Sequence, residues 1–521
     1  MKKKFNITGN CYVSKHYMMD NSQKVAKVYE LVEEGAYFSI NRPRQYGKTT
    51  TLFAIDEKLN KTEEYLSIRM NFQGIDQKWH ESDGNFAQMF VQEMYKGLRY
   101  LSPEFAAFLK EQISNVVSMN DLSDIITELI HKSPKKIVIL IDEVDASSNY
   151  MPFLRFLAML RTKYLDRESP SNLTFHSVVL VGVHDVKSLK YKIRNPEEAQ
   201  YNSPWNIAVD FESVMEFNPQ EIAPMLVEYS QAENVSMDIA AIAQKLYDYT
   251  SGYPFLISRL CLLIVDKILP KKTTKTWDLT DVDAAVKLIL REVNTNFESL
   301  IKNLQNHSDL YDLVYKMLID GESFKFNPHN DTIHKGVIYG VFKQNGQLKI
   351  HNQIYELLIY NYLISTMETN YQTNVYSDEH PFLLPDNTMN FEKVLKKFQE
   401  YMRDNHSRKD HDFLEKHWRL LFFAFMTPIL NGRGFIFREA QTSEEKRMDA
   451  VITFDNQKYI VELKIWRGEE AHETGLLQLH DYLERQSLDK GFLIIFDYRK
   501  SHNWKNEWAK VKNKDIFATW V

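Results

Sequence analysis

Cysteine is nearly missing from this chain. Its 521 residues include two, Cys11 and Cys261, too few for a zinc cluster or a disulfide framework. Long apolar runs are missing as well: Leu420–Leu430 is too short for a membrane span, and Phe255–Leu269 is interrupted by Arg259 and Asp266. No membrane partner is expected. The lysines of the amino terminus are not followed by an apolar segment of the secretory kind, so the reading is a cytoplasmic protein. A strong excess of positive charge is also absent. The formal net charge is −6, and the segment from Phe391 onward carries 23 Lys and Arg against 21 Asp and Glu. Any contact with DNA must therefore come from a local patch rather than from overall charge. Core-forming material is plentiful: 44% of residues are hydrophobic, which excludes wholesale disorder. The length calls for about three domains.

The chain is organised around Ser39–Thr50, which reads as a strand, a tight loop and a helix start. Ala36–Ile40 is short and apolar, and the segment after Thr49 carries helix formers with Leu52, Phe53 and Ile55 for a buried face. Gly47-Lys48-Thr49 falls where the helix begins, and free backbone N–H groups there attract phosphate. Gly47 lets the backbone approach, Lys48 reaches terminal phosphates, and the Thr49 hydroxyl suits magnesium, with Thr50 next to it. The pattern G-x-x-x-x-G-K-[ST] lacks its first glycine, because Arg42 stands there, followed by Pro43.

The second part of that site is Lys136–Asp145. Its run Ile137–Ile141 is apolar and mostly β-branched, as in a parallel strand buried on both faces. At its carboxyl end, Asp142 suits a magnesium ion and Glu143 an attacking water, the roles phosphoanhydride hydrolysis needs. Between and after these motifs, strands at Tyr65–Phe72 and Thr174–Val183 alternate with helices at Phe86–Leu101, Leu122–Ile130 and Met151–Leu165. This alternation predicts a doubly wound parallel sheet with ligands at the carboxyl ends of its strands. His184 and Asp185 either sense the terminal phosphate or form an exposed strand end. Upstream, Tyr12, His16 and Tyr17 either face an adenine ring or pack on the sheet.

Helices at Pro219–Tyr229, Ile239–Tyr249 and Pro254–Ile268 predict a lid after the core, with Arg259 either at phosphate or on the surface. Helices, a hairpin signal at Gln344–Gln347 and a strand at Leu348–Ile350 suggest a winged-helix-like module, packing between domains or binding DNA. Residues 370–390 read as a linker.

A second constellation lies beyond it. Asp449 starts a strand, and Tyr459–Trp466 follows across a turn, with Glu462 and Lys464 on one face because they are two apart. Asp449 and Glu462 suit a magnesium ion and Lys464 a water, an arrangement for metal-assisted phosphodiester hydrolysis. Glu415 and Gln478 are lesser candidates. Gln478 and Tyr482 are four apart on the predicted helix Glu473–Arg485. The simpler alternative is an amphipathic hairpin with a surface ion pair.

Asn41-Arg42-Pro43-Arg44-Gln45-Tyr46-Gly47-Lys48-Thr49-Thr50, with Ile141-Asp142-Glu143-Val144-Asp145, resembles the bacterial AAA-ATPase-like family, whose phosphate loop has this R-P-R-x-x-G-K-T form. The tail, with Asp449, Glu462-Leu463-Lys464, Gln478 and Tyr482, resembles the PD-(D/E)XK nuclease superfamily, although Met448 stands where that motif has proline. The resemblance implies an α/β fold: a P-loop NTPase parallel sheet with helical lid and winged-helix-like module, then a separate α/β restriction-endonuclease-like domain. With the residue reading above, the expected divisions are an ATPase core at 1–215, a lid at 216–300, a winged-helix-like module at 301–369 and a nuclease-like domain at 391–521. ATP and Mg2+ are the implied cofactors and DNA the implied further partner. Were an arginine supplied by another copy, Arg155, Arg161 and Arg194 would be equivalent candidates. The alternative is an ATP-driven switch whose tail binds nucleic acid or a partner without cutting.

Overall fold

The computed structural model describes residues 2–183, 207–211, 215–320, 322–343, 346–370, 382–386, 388–405, 411–430, 434–437, 450–454, 457–466, 468–497, 499 and 504–521. They form two compact units: Met1–Asn296 with His334–Phe342, and Phe297–Ile333 with Lys343–Val521.

In the first unit, β1 (Tyr37–Asn41), β2 (Tyr65–Asn71), β3 (Lys136–Asp142), β4 (Ser177–Gly182) and β5 (Val209–Asp210) form an all-parallel sheet in the order β2-β3-β4-β1-β5. Helices α1 (Ser22–Glu33), α2 (Lys48–Asn60), α3 (Asp83–Leu98), α4 (Pro103–Gln112), α5 (Met119–Lys132) and α6 (Met151–Leu165) accompany it. Phe86, Phe90, Phe153 and Phe156 recur at helical spacing on α3 and α6 and are fully buried with Phe72 in the main core. The side chains of Ser82 and Ser118 accept from backbone N–H groups three residues on and start α3 and α5. β2 departs from the half-polar strand its sequence suggests. It is an edge strand, yet Ser67 is fully buried, because Asn60 at the end of α2 takes up both its N–H (2.8 Å) and its carbonyl (3.2 Å).

The segment expected as a lid comprises α7 (Pro219–Glu233), α8 (Ile239–Thr250), α9 (Pro254–Leu263) and α10 (Leu279–Ile289), with a small parallel pair β6 (Ser236–Met237) and β7 (Thr276–Trp277). A capping box of Asn218 and Glu221 opens α7. The same Glu221 accepts from Lys24 of α1 at 2.8 Å, with both side chains buried.

Further along lie α11 (Thr295–Asn306), α12 (Ser308–Tyr315), α13 (Asp331–Ile338), the two-stranded sheet of β8 (Phe342–Lys343) and β9 (Lys349–Ile350), and α14 (Gln353–Asn370). Helices followed by a small β-wing are thus present, with Gln344 and Asn345 of the turn outside the described residues. Residues 343–521 belong to one unit, where α14 packs on the later helix α16, Tyr360 meeting Phe423 at 5.2 Å between ring centroids.

The second unit is built on β10 (Gly434–Phe437), β11 (Ala450–Phe454), β12 (Gln457–Ile465), β13 (Lys490–Phe496), β14 (Asn506–Val511) and β15 (Lys514–Trp520), in the order β10-β11-β12-β13-β15-β14. The central pairs β12-β13 and β13-β15 are parallel and the flanking ones antiparallel. Its helices are α15 (Phe391–Asn405), α16 (His411–Leu430) and α17 (Glu469–Arg485). The motif reading leaves α4, α11, α15 and β13–β15 unassigned. α15 nevertheless carries the helical spacing, with Phe391, Val394, Leu395, Phe398 and Met402 all buried.

Candidate functional site

The loop between β1 and α2 wraps around its own lysine. Lys48 is 5% exposed, and its ammonium donates to the carbonyls of Arg42 and Pro43 at 2.9 Å each. The loop residues with left-handed backbone are Gln45 (φ 58°) and Gly47 (φ 77°). Gly47 is therefore needed at the helix start. Arg42 lies outside that region, so a side chain is tolerated where the general pattern has glycine; its N–H donates to Gly182 O at 3.2 Å and extends the β1-β4 ladder. Thr49 and Thr50 lie half-buried on the first turn of α2, and Thr50 Oγ1 accepts from the Cys11 N–H at 3.4 Å.

The carboxyl end of β3 faces this loop. Asp142 is 2% exposed, and its Oδ1 accepts from the Glu143 N–H at 3.0 Å. Its Oδ2 is buried with no hydrogen-bond partner among the described residues. A buried carboxylate oxygen left in that state is costly unless a cation or water completes it. The donor set of Asp142 Oδ2 and the Thr49 hydroxyl, all oxygen, fits a magnesium ion. Glu143 takes a left-handed backbone (φ 54°), which bends the chain sharply at the strand tip. Asp145 accepts from the Val183 N–H at 2.5 Å and ties that turn to the end of β4. Burial pushes the Lys48 ammonium down from its ordinary pKa, while Glu143, Asp145 and Asp142 push it back up. Burial likewise raises the Glu143 carboxyl, opposed first by Lys48. The lysine and the acidic tip thus share one electrostatic site, as the two motifs predict. His184 and Asp185 lie outside the described residues.

Beside the loop opens a cavity of about 360 Å3, walled by the amino-terminal segment around Asn6–Gly9, by Tyr46 and Thr51, and by Phe255 of the lid. Its size lies within the range of small-ligand pockets. Tyr17 also lines it, but the upstream aromatics pack on the lid and α2 rather than on the sheet. Tyr17 meets Phe5 and Tyr229 at 5.2 and 5.4 Å, and Tyr12 meets Phe53 at 5.4 Å. The physical reason is the lid: Tyr229 of α7 and Trp277 of β7 offer ring edges to which Phe5 and Tyr17 can pack.

In the second unit, Glu462 is fully buried and Lys464 Nζ lies 2.7 Å from its Oε1. The same ammonium donates to Gln478 Oε1 of α17 at 3.2 Å, so three of the expected residues meet. Tyr482, one turn further along α17, is 3% exposed and belongs to the core cluster of α17 and the sheet. The first described pair of the β11-β12 ladder is Ala450 with Val461; Asp449 lies outside the described residues, as does the side chain of Glu415. Among the described residues no group of three or more His, Cys, Asp or Glu side chains could hold a metal ion. None of the described helices is long and apolar enough to cross a membrane.

Residues 4–361 match the family described as the AAA-like domain. The chain belongs to that family. No curated protein matches it. Similar solved structures include the Walker-type ATPase PABY2304 of Pyrococcus abyssi, at 13% identity and TM-score 0.45 over 68% of this chain and 99% of that one. The Aeropyrum pernix ORC2 protein, in ADPNP–ADP complexes, shows 11% identity and TM-score 0.40 over 70% and 96%.

The AAA-like region thus contains the loop, the acidic strand tip and the lid. Two arginines within it are engaged elsewhere. Arg259 donates to Glu292 (Nε to Oε2, 2.9 Å), so the lid arginine forms an ion pair rather than facing the loop. Arg155 pairs with Asp83 at 2.7 Å, and Arg194 lies outside the described residues. The motifs miss Tyr253, which opens α9. Its hydroxyl donates to Arg44 O at 2.5 Å and accepts from Asn296 Nδ2 at 3.2 Å, and its ring meets Tyr46 edge-on at 4.5 Å. The Ser-Gly-Tyr-Pro turn in the sequence marks the start of α9 but not this contact with a loop some two hundred residues away. Tyr253→Phe is expected to release the Arg44 carbonyl and weaken ATP binding by about fivefold, the equivalent of one net hydrogen bond of about 1 kcal/mol. Titration with a fluorescent ATP analogue measures it, and unchanged affinity would show the latch to be irrelevant to the site.

Proposed function

We propose that the AAA-like unit binds ATP with magnesium and hydrolyses it. The observation that carries this reading is the buried Lys48, held 2.9 Å from two loop carbonyls and opposite an Asp142 oxygen that lacks a partner among the described residues. An ammonium enclosed by neutral carbonyls can exchange them for phosphate oxygens, which are stronger acceptors. The neighbouring cavity takes the base and ribose. Thr49 and Asp142 would hold magnesium, which when bound screens the charge of the β- and γ-phosphate oxygens. Glu143 orients and polarises the water that attacks the terminal phosphorus.

Glu143→Gln tests this. The variant should bind ATP as the parent does and lose at least about 100-fold in turnover, the scale of general-base catalysis. Parent turnover should fall on the acid side with a midpoint above the ordinary glutamate value of 4.5, because burial raises this carboxyl. Below that midpoint Glu143 is protonated and cannot take the proton of water. The limb should vanish from the residual activity of the variant, and a variant as fast as the parent would reject the assignment.

We further infer a magnesium-dependent nuclease-like site on the second unit, acting on DNA, with Asp449 and Glu462 as ligands and Lys464 placing a water. Support comes from Glu462, Lys464 and Gln478 meeting on one face of β12, and from a ladder whose first described pair joins the residue after Asp449 to the residue before Glu462. The other reading, an ATP-driven switch whose second unit binds nucleic acid or a partner without cutting, is favoured by the ion pair that already engages Glu462.

A further inference from the structure

Arg44 occupies the third position of the phosphate loop, between the two carbonyls that hold Lys48 and the left-handed Gln45. Its backbone is fixed from both sides. Tyr253 donates to its carbonyl at 2.5 Å. Before it, Pro43 is buried against Gly340, where a Cβ would lie 2.9 Å from the proline Cγ, so the close approach requires glycine there. The side chain itself is exposed. A fixed backbone carrying an exposed guanidinium with no hydrogen bond or ion pair among the described residues is suited to a transient ligand, since little further ordering of the loop is needed when that ligand arrives. Arg42 differs, for its Nη1 is turned back to the Asn41 carbonyl at 2.8 Å.

Resting on the ATP reading above, we propose that Arg44 contacts the terminal phosphate of bound ATP from within the same chain and stabilises the charge that develops there during hydrolysis. Arg44 follows directly on the two carbonyls that hold the Lys48 ammonium, so its side chain rises from the same stretch of loop as that cation. In the reaction the water oxygen bonds to the γ-phosphorus as the bond to the β,γ-bridging oxygen breaks. ADP leaves with that electron pair, and the proton of water passes to Glu143 and then to solvent. Charge grows on the bridging and γ-oxygens, where a planar fork of N–H donors is effective. A cation built into the loop needs no neighbouring copy to complete the site, unlike an arginine supplied in trans.

The test uses the full chain and its Arg44→Ala and Arg44→Lys variants, with ATP turnover followed by phosphate release over a wide range of protein concentration. ADP and ATP affinities are measured with fluorescent analogues. Expected are turnover per chain that does not depend on concentration, a loss of about 100-fold or more in Arg44→Ala, partial recovery in Arg44→Lys, and ADP affinity close to that of the parent. Parent-like turnover in Arg44→Ala, equal loss of ADP and ATP binding, or turnover per chain that climbs with concentration would each overturn the proposal. A parent chain that binds no ATP at all would instead remove the reading on which it rests, and Arg44 with it.

Discussion

Lys48→Ala is expected to lower ATP affinity by roughly 100-fold or more, because the ammonium would make two charge-assisted hydrogen bonds to phosphate, each contributing about 1.5–3 kcal/mol. The parent side chain is held 2.9 Å from two loop carbonyls, so it is already positioned for the phosphates and loses little freedom on binding. Alanine removes the charge and leaves those carbonyls to be met by water. Calorimetric titration of both proteins with magnesium and ATP measures the change. A thermal midpoint near that of the parent distinguishes loss of the site from loss of the fold. Unchanged affinity in a folded variant would reject the phosphate loop as the nucleotide site.

Glu462→Gln carries the second large effect. If the second unit cuts DNA, the substitution should abolish magnesium-dependent conversion of supercoiled plasmid to nicked or linear forms, since the neutral amide cannot replace a ligand carboxylate in a hard-cation site. Lys464, at 2.7 Å from the carboxylate in the parent, keeps its contact with Gln478, so the fold around β12 is expected to survive. Cleavage retained in Glu462→Gln would overturn the assignment. A parent that binds ATP but never cuts, with or without magnesium, would select the switch reading.

The loop motif and the strand-tip motif were legible because each is local. Gly47-Lys48-Thr49 at a helix start and Asp142-Glu143 at the end of an apolar strand each need only neighbours in the chain. The parallel sheet was legible for the same reason: period, length and alternation of elements are short-range properties. Arg42 was ambiguous from its type alone and became clear through its backbone, which lies outside the left-handed region that would demand glycine. The second unit was legible only in part. Glu462 and Lys464 sit where their spacing places them, while the membership of Tyr482 in the core cluster of α17 and the sheet depends on packing that no local pattern shows.

What the order of residues determined by itself is the strands and helices that flank the two motifs, the motifs themselves and the face that Glu462 shares with Lys464. Only the tertiary structure decided that Tyr253 fastens the phosphate loop, that Arg259 pairs with Glu292, that the upstream aromatics pack on the lid, and that residues 343–521 hold together as one unit. The reason is physical: helices and strands follow from backbone and side-chain preferences over a few residues, whereas these contacts join positions far apart in the chain. They form only where packing brings a ring, a carbonyl or a carboxylate within bonding distance.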